Sequence, residues 1–581
     1  MDVQVLLAER VRAAITKAFG AEHSGAEPAV HRSSFADYQA DAALRLAKPL
    51  KKPPLELAKT IAENLDMSGL CEPSGVAVSP PGFVNFTLGR AFLEKTLATV
   101  AKDERAGVPR VAAPETVVID YSGPNMAKEM HVGHIRSTVI GDALARTLGF
   151  LGQRVVRQNH VGDWGTPFGM LLEHLEDVGS DRAASELSMG SLNQFYQAAR
   201  QKFDGDPAFA ERARKRVVLL QSGDEQTLAR WRTFVGASLR YFSTLYRRLG
   251  VLLTDDDVRG ESFYNSMLPG VAAELERQGV AHIDAGALCV FFDEFKGKDG
   301  ALVPLIVQKS DGGFGYAATD LAAIRFRTNE LAATRLLYVT GAPQQQHFAM
   351  VFAAAKRAAF LPPGARAEHV MFGSILGPDK KMFKTRSGEN VKLADLLDEA
   401  VARAEKAVRE KNPELDPGEV TRVAQEVGIG ALKYADLSSD RIKDYVFDWD
   451  RMLAFEGNTG PYLQYAHARI CSIARKAADA GIVVTDATPL VLATEPERKL
   501  AVELGMLEPV LALVEKTLEP HKLCGYLFDL ASAFTSFYES SPVLRAEDAA
   551  TRASRLLLCQ ITKNVLGLGL GLLGMAAPER M

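Results

Sequence analysis

A β-branched run, Thr116-Val-Val-Ile-Asp120, is followed by a turn-rich segment that ends in His131-Val-Gly-His134, and then by an amphipathic stretch from Ile135 to Phe150. In that stretch Ile135, Val139 and Ala143 form one stripe, with Ile140, Leu144 and Leu148 beside it, which is helical spacing. Gly149 and Gly152 close it, and Arg154-Val-Val-Arg157 opens another strand. Strand, helix and strand in this order argue for a parallel βαβ unit. Arg335-Leu-Leu-Tyr-Val339 and His369-Val-Met-Phe372 are further strand candidates. An open parallel sheet takes its ligand at the carboxyl edge of the strands. The two histidines stand at that edge, on a helix start whose free N–H groups and dipole amount to roughly +0.5 charge. They can donate to phosphate oxygens, and Gly133 between them leaves room for a base or ribose. Such a place serves attack of a carboxylate on the α-phosphate of ATP, a step that needs charge stabilisation and positioning more than a nucleophilic side chain. Taken alone, His-x-Gly-His reads more simply as a pair capping a helix. Pro124-Asn125, the cation of Lys128 and Arg136-Ser-Thr-Val-Ile-Gly-Asp142 shift the balance towards a site.

The chain has 581 residues, too many for one ordinary core, so several domains are expected. Residues 1–110 read as a small α/β unit, with a helix opening at Val5 to Ala18, a second from Leu55 to Leu65, and strands Gly75–Ser79 and Phe83–Thr87. Residues 111–454 carry the parallel-sheet core, with a charged, helical insertion at about 175–245. From 455 to 581 the pattern is helical, one helix through Leu463, Ala466, Ile470 and Ile473 followed by two or three more, which suggests a bundle. The expected class is therefore multidomain α/β, a Rossmann-like core flanked by a small α/β domain and an all-α domain. Apolar residues make up 47% and charged residues 24%, the balance of a globular protein. A net charge of −4 means any RNA contact must use local basic patches. Cys71, Cys289, Cys471, Cys524 and Cys559 form no Cys-x-x-Cys pair, so neither a zinc site nor a disulfide framework is expected, as in a reducing cytosol. No signal-like start precedes the first helix. The apolar tract Val565 to Pro578 is too short and glycine-rich for a membrane span. Gly569-Leu-Gly-Leu-Leu-Gly574 mimics a dinucleotide fingerprint but has no βα unit after it.

The run from Asp120 to Gly169, including Asn159-His-Val-Gly-Asp-Trp-Gly165, resembles the signature block of the arginyl-tRNA synthetases, a class I synthetase family, and the resemblance extends over nearly the whole chain. Gly123 departs from the commoner serine or alanine, a change expected to be harmless. Lys381-Met-Phe-Lys-Thr385 is similar to the second class I motif; Phe383 and Thr385 depart from its general form, as family members often do. Two ammonium groups there could follow the phosphates as pyrophosphate leaves. The resemblance implies that Lys128, Lys381 and Lys384 share the phosphate work with His131 and His134, and that His131, Gly133, His134, Met382 and Lys384 meet ATP.

A guanidinium is a planar fork of five donors and needs carboxylate or amide oxygens. Tyr316 and Asp320 are four apart, hence on one helix face, a spacing that an ordinary surface pair would share. In the resembled family the matching residues line the arginine pocket. Gln344 falls at a pocket glutamine with a register uncertain by one, and Asp120, Ser122 and Asn125 would hold the α-amino and carboxyl end. Such a pocket could reject lysine or citrulline by about 10⁴ or more, so no editing domain is needed. The C-terminal helices resemble an anticodon-binding domain through Gln464-Tyr-Ala-His-Ala-Arg469 and Pro578-Glu-Arg-Met581. Tyr465, Arg469 and Met581 there, with Phe83 and Asn85 in the N-terminal unit, are candidates for tRNA contact. The implied activity joins arginine to its tRNA through an adenylate, with tRNA bound before activation. ATP and its Mg²⁺ serve as substrate, no prosthetic group is needed, and a cytoplasmic monomer without membrane contact is expected. Two rivals stand beside it. Another adenylate-forming amino-acid ligase would lack the helical C-terminus, and a non-catalytic RNA-binding relative would have lost the histidines or loop lysines.

Overall fold

The computed structural model describes residues 2–126, 128–179, 192–297, 299–383 and 391–581. They form two compact units.

One unit spans 111–454 with 572–575. At its centre are four parallel strands in the spatial order Arg366–His369, Arg335–Tyr338, Thr116–Asp120, Arg154–Gln158. All five residues of Thr116–Asp120 are buried, as expected of a central strand covered on both faces. From it the chain moves to Arg154–Gln158 on one side and later to Arg335–Tyr338 on the other. The strand order therefore reverses between Thr116–Asp120 and Arg335–Tyr338, and a crevice opens at such a switch point. The register places Asp120 beside both Tyr338 and Gln158 at this carboxyl edge. The outermost strand is Arg366–His369 and not His369–Phe372. Its Arg-Ala-Glu-His sequence hides strand character because it is a half-exposed edge, where Arg335 reaches across to Glu368 at 2.7 Å. Apolar Val370 and Phe372 continue the pairing irregularly through bonds to Tyr338 and Thr340.

The helix Gly133–Leu151 packs unusually close to the first strand's end. A Cβ on Gly141 would stand 2.3 Å from Tyr121 Cβ, so Tyr121 and the backbone leading to Ser122 can hold their places only beside glycine. Gly141→Ala should lower stability by up to about 2 kcal/mol, since overpacking at about 1–3 kcal/mol outweighs the about 1 kcal/mol that alanine gains in a helix. Thermal melting checks this. The charged stretch folds as Thr166–Val178, Leu192–Gly205, Pro207–Ser222 and Glu225–Leu249. Arg212 and Arg216 tie the third of these to Glu173 on the first.

The other unit comprises 1–110, 455–571 and 576–581. Its N-terminal part is an antiparallel sheet in the order Val30–Arg32, Tyr38–Ala40, Phe83–Leu88, Cys71–Ser79, with helices Val3–Phe19 and Pro54–Asn64 packed on it. Pro54 starts its helix where a missing N–H costs nothing. The C-terminal part holds Gly460–Asp479 and then four helices, Glu495–Leu504, Leu507–Thr517, His521–Ser540 and Ala549–Leu572, one more than the upper expectation. Leu507–Thr517 was hidden because only Gly505-Met506 separates it from the helix before. Gly569 lies inside the last helix, where a Cβ would strike Leu527 at 2.4 Å; the fingerprint-like glycines serve helix packing. Among the described residues no helix is long and apolar enough to cross a membrane.

Candidate active site

At the switch point lies an open cavity of about 520 Å³, lined by residues from both central strands and the helices that follow them. Asp120, Ser122, Asn125, Gly133, His134, Tyr316, Asp320 and Gln344 all face it. The structure thus gathers candidates more than 200 positions apart in sequence. Gln344, and neither neighbouring glutamine, contributes to the wall.

The turn after the first strand is built from strained backbone. Ser122 has φ 73° and Gly123 φ 51°, both in the left-handed region, and side chains avoid that region. Ser122 is held there by its amide donating to Ser137 Oγ at 2.9 Å, and by its hydroxyl meeting Tyr246 at 2.8 Å and Thr138 at 3.0 Å. Glycine at 123 meets the same demand without a Cβ. Its amide donates to Asn159 Oδ1, which begins the Asn159–Gly165 block. Gly162 in that block lies under Asn125, whose Oδ1 a Cβ would approach to 2.3 Å. Asp120 is also engaged, since its Oδ2 receives Arg327 Nη2 at 2.6 Å and its Oδ1 the amide of His160 at 3.3 Å.

The two histidines are fixed by main-chain donors. The amide of Gly133 donates to His131 Nδ1, and the amide of His131 to His134 Nδ1, both at 3.1 Å. An amide can only donate, so the contact at His131 places the lone pair on Nδ1 and the proton on Nε2, whereas His134 Nδ1 also lies 3.3 Å from the His131 carbonyl, an acceptor. Burial holds His134 down to about 4, helped by His131 and Lys128; the same two influences, burial and Lys128, lower His131. Both rings are thereby held towards the neutral form. The Lys128 ammonium lies 4.4 Å from the centre of the Tyr196 ring, a cation–π contact from the insertion that no motif announced.

The second motif is anchored on both sides. Before it, Ile375–Leu376 pairs with Tyr445–Val446, Gly377 donates to the Lys381 carbonyl at 2.7 Å, and Phe383 stacks on Phe447 at 4.5 Å. After it, Val132 donates to Val391 and Leu393 to Met130, which brings the chain back to the histidines. Lys381 and Met382 are exposed and do not line the cavity; Lys384 falls outside the described residues.

The cavity wall also carries carboxyl groups. Glu261, which the sequence reading missed, faces the cavity with Asp320 and Tyr316. Burial, then the carboxylates of Asp163 and Asp320, push Glu261 up to about 8. Two acids, Glu261 and Asp320, on one wall with Asp163 behind them form a place suited to a cation. Among the described residues no cluster of three histidine, cysteine or acidic groups could hold a metal ion.

The family comparisons match this architecture along the chain. Residues 96–449 match the catalytic domain of the class I tRNA synthetases (R), 463–581 the DALR anticodon binding domain, and 6–88 the arginyl-tRNA synthetase N-terminal domain. The chain belongs to the arginyl-tRNA synthetase family. The arginine–tRNA ligase of Thermobifida fusca is 52% identical and that of Cronobacter sakazakii 47%, each over all of both chains. The arginyl-tRNA synthetase of Plasmodium falciparum superposes with a TM-score of 0.85 at 30% identity, covering 100% of this chain and 99% of the other. The Thermus thermophilus enzyme gives 0.80 at 26%, each chain covered completely.

In the synthetase's other unit, the two C-terminal motifs meet. Gln464 donates to the Ala576 carbonyl, His467 contacts that of Pro578, and Arg475 donates to that of Glu579, which lays the tail along Gly460–Asp479 and leaves Met581 half-buried at its end. Arg469 lies over Tyr465 at 4.9 Å and Tyr538 at 5.7 Å. Phe83 is half-buried, while Asn85 is buried and donates to Ser79 at 2.9 Å.

Proposed function

We propose that this synthetase is an arginine–tRNA ligase whose chemistry runs across the switch-point cavity. The arginine carboxylate attacks the α-phosphorus of ATP; the new O–P bond forms as the bond to the β-phosphate bridging oxygen breaks and pyrophosphate departs. The 2′-hydroxyl of the tRNA's terminal adenosine then attacks the carbonyl and AMP leaves. The observation that carries this reading is that one cavity is lined both by His134 at a helix start and by the carboxyls of Asp320 and Glu261. His131 and His134 present Nε2–H groups to phosphate oxygens, with Gly133 leaving the ribose its space. Lys128, Lys381 and Lys384 neutralise the phosphates, and Met382 lies against the nucleotide. Asp320, Glu261, Tyr316 and Gln344 receive the guanidinium. Asn125 meets the α-amino and carboxyl end, while Asp120 and Ser122, their side chains engaged from behind by Arg327 and Tyr246, shape that end of the pocket. Magnesium enters with ATP as part of the substrate. Phe83 and Asn85 meet one part of the tRNA, and Tyr465, Arg469 and Met581 the anticodon, by stacking on unpaired bases. The same reading makes it a cytoplasmic monomer, divided into an N-terminal domain (1–110), a catalytic domain (111–454) and an anticodon-binding domain (455–581), in which tRNA binds before activation. The test is exchange of pyrophosphate into ATP across the twenty amino acids, with and without tRNA. Exchange with arginine alone, only when tRNA is present, is expected; exchange with a different amino acid overturns the reading.

Glu261 adds a pH dependence. With its carboxyl held near 8, it is protonated in the empty pocket at neutral pH, whereas a guanidinium favours the ionised form. Binding then expels a proton, so the KM for arginine should fall as pH rises from about 6 to about 8 and flatten above that. The free protein should behave oppositely. A carboxyl raised on folding contributes stability below its ordinary range, and that contribution is lost as pH rises through about 8. Both slopes should vanish in Glu261→Gln, measured by steady-state kinetics and thermal melting.

A further inference from the structure

Asp320 does not face the cavity unaided. His347, on the helix Gln345–Arg357, places Nε2 2.6 Å from Asp320 Oδ2, on the helix Tyr316–Asn329. Both residues line the cavity, yet each keeps only part of its side chain open, 32% for the imidazole and 15% for the carboxylate. The ring is braced in turn. It meets Phe348 edge-on at 5.3 Å, and Phe348 packs against Tyr338 and His369 at 5.0 and 5.2 Å. The clamp therefore rests on the central sheet.

A carboxylate on a helix can turn about two side-chain torsions, and a ligand charge would meet it in any of several poses. A charge-assisted hydrogen bond of this length removes that freedom. With Oδ2 occupied, Oδ1 becomes the oxygen left for a ligand, at a direction set by the imidazole. That restriction discriminates by shape. An ammonium is a compact charge that adapts to whatever acceptor it finds, whereas a guanidinium donates along fixed directions in one plane. A pinned Asp320 and a Glu261 held by a different element form two acceptors at fixed angles, which suit the planar fork. A ring donating from Nε2 is sufficient for this.

We propose that His347 is a specificity-determining positioning residue, which clamps Asp320 so that its free oxygen meets the guanidinium of arginine in a single orientation. The inference rests on the reading of Asp320 as a guanidinium ligand. It is tested with His347→Ala, which removes the donor, His347→Phe, which keeps bulk without a donor, and His347→Gln, which restores one, alongside Asp320→Asn in the full-length protein. Aminoacylation kinetics should show the KM for arginine raised about tenfold in the alanine and phenylalanine variants, the expected scale for one hydrogen bond to a charged group. The kcat and the KM for ATP should stay within about twofold, inhibition by citrulline relative to arginine should strengthen, and the glutamine variant should recover most of the loss. If the alanine variant does not fold, the phenylalanine and glutamine variants make the same comparison. An arginine KM unchanged without the donor, while Asp320→Asn abolishes arginine use, overturns the clamp alone. A rise in the KM for ATP equal to that for arginine overturns it too, since a general structural role would act on both. Arginine use unaffected by Asp320→Asn overturns the pocket reading and the clamp with it.

Discussion

Asp320→Asn should lower kcat/KM for arginine by about 10³-fold or more, with the fold intact and the KM for ATP little changed. The size of the effect follows from where the charge sits. The carboxylate side chain is 15% exposed and bonded to His347, in a cavity where Glu261 is held protonated up to about 8. With Glu261 held protonated, recognition of the guanidinium on that wall falls first to Asp320. Asparagine keeps the shape but removes the charge and turns one acceptor into a donor facing another donor. A site built around a hydrogen-bonding group discriminates by 10⁴–10⁵ when that group is unmatched, and part of this should appear here because Glu261 can still ionise. Stability at neutral pH should respond little, since Glu261 is uncharged there and asparagine keeps an oxygen for His347. Active-site titration with tRNA present, together with melting curves, separates loss of arginine recognition from loss of fold. A kcat/KM within tenfold of the native value would exclude Asp320 as the main guanidinium ligand.

How much of this was legible in the chain depends on how local the chemistry is. Asp120, Ser122, Asn125, Gly133 and His134 belong to a single strand–turn–helix junction, so one motif brings them to one edge. Helical spacing put Tyr316 and Asp320 on one face, but an ordinary surface pair shares that spacing, and their place in a pocket came from the family resemblance. Glu261 had no such signal. It sits in the four-residue helix Glu261–Tyr264, and its raised acidity range exists only because burial, Asp163 and Asp320 act on it together. His347 was visible in the run after Gln344, but its role required the packing of two helices side by side. Tyr196 under Lys128 is similar, a contact from the insertion that spacing cannot encode. The edge strand Arg366–His369 was misplaced for a different reason: charged side chains at a sheet edge obscure the alternation, while the apolar residues just beyond imitate it. Arg327 was within reach. Tyr316, Asp320 and Arg327 fall on one stripe of the same helix, and a guanidinium there facing Asp120 could have been inferred from the sheet order.

Arg327 carries the largest expected effect on stability. Its side chain is 1% exposed, its Nη2 donates to Asp120 and its Nε to Gln158, both at 2.6 Å, and its guanidinium lies 5.0 Å from the centre of the Tyr338 ring. One cation therefore ties three neighbouring strands together where the pocket begins. Arg327→Met would leave the Asp120 carboxylate, 11% exposed, with the His160 amide at 3.3 Å as its remaining partner among the described residues, and should cost about 3–5 kcal/mol, the range for breaking a buried pair. The loss need not mean that the pair itself is stabilising, because desolvation of both ions opposes their attraction. Adding Asp120→Leu to Arg327→Met should restore most of the stability, as apolar replacement of whole buried pairs often does. Activity should not return with it. Without the Asp120 carboxylate, His160 loses the acceptor that positions the loop facing Gly123, and the strained Ser122–Gly123 turn loses one of its supports. A double-mutant cycle read by chemical denaturation and by pyrophosphate exchange distinguishes the two roles: coupling in stability near the full single-mutant loss, and none in activity. Recovery of exchange in the double variant would mean that the pair serves the fold alone and that Asp120 does not shape the pocket.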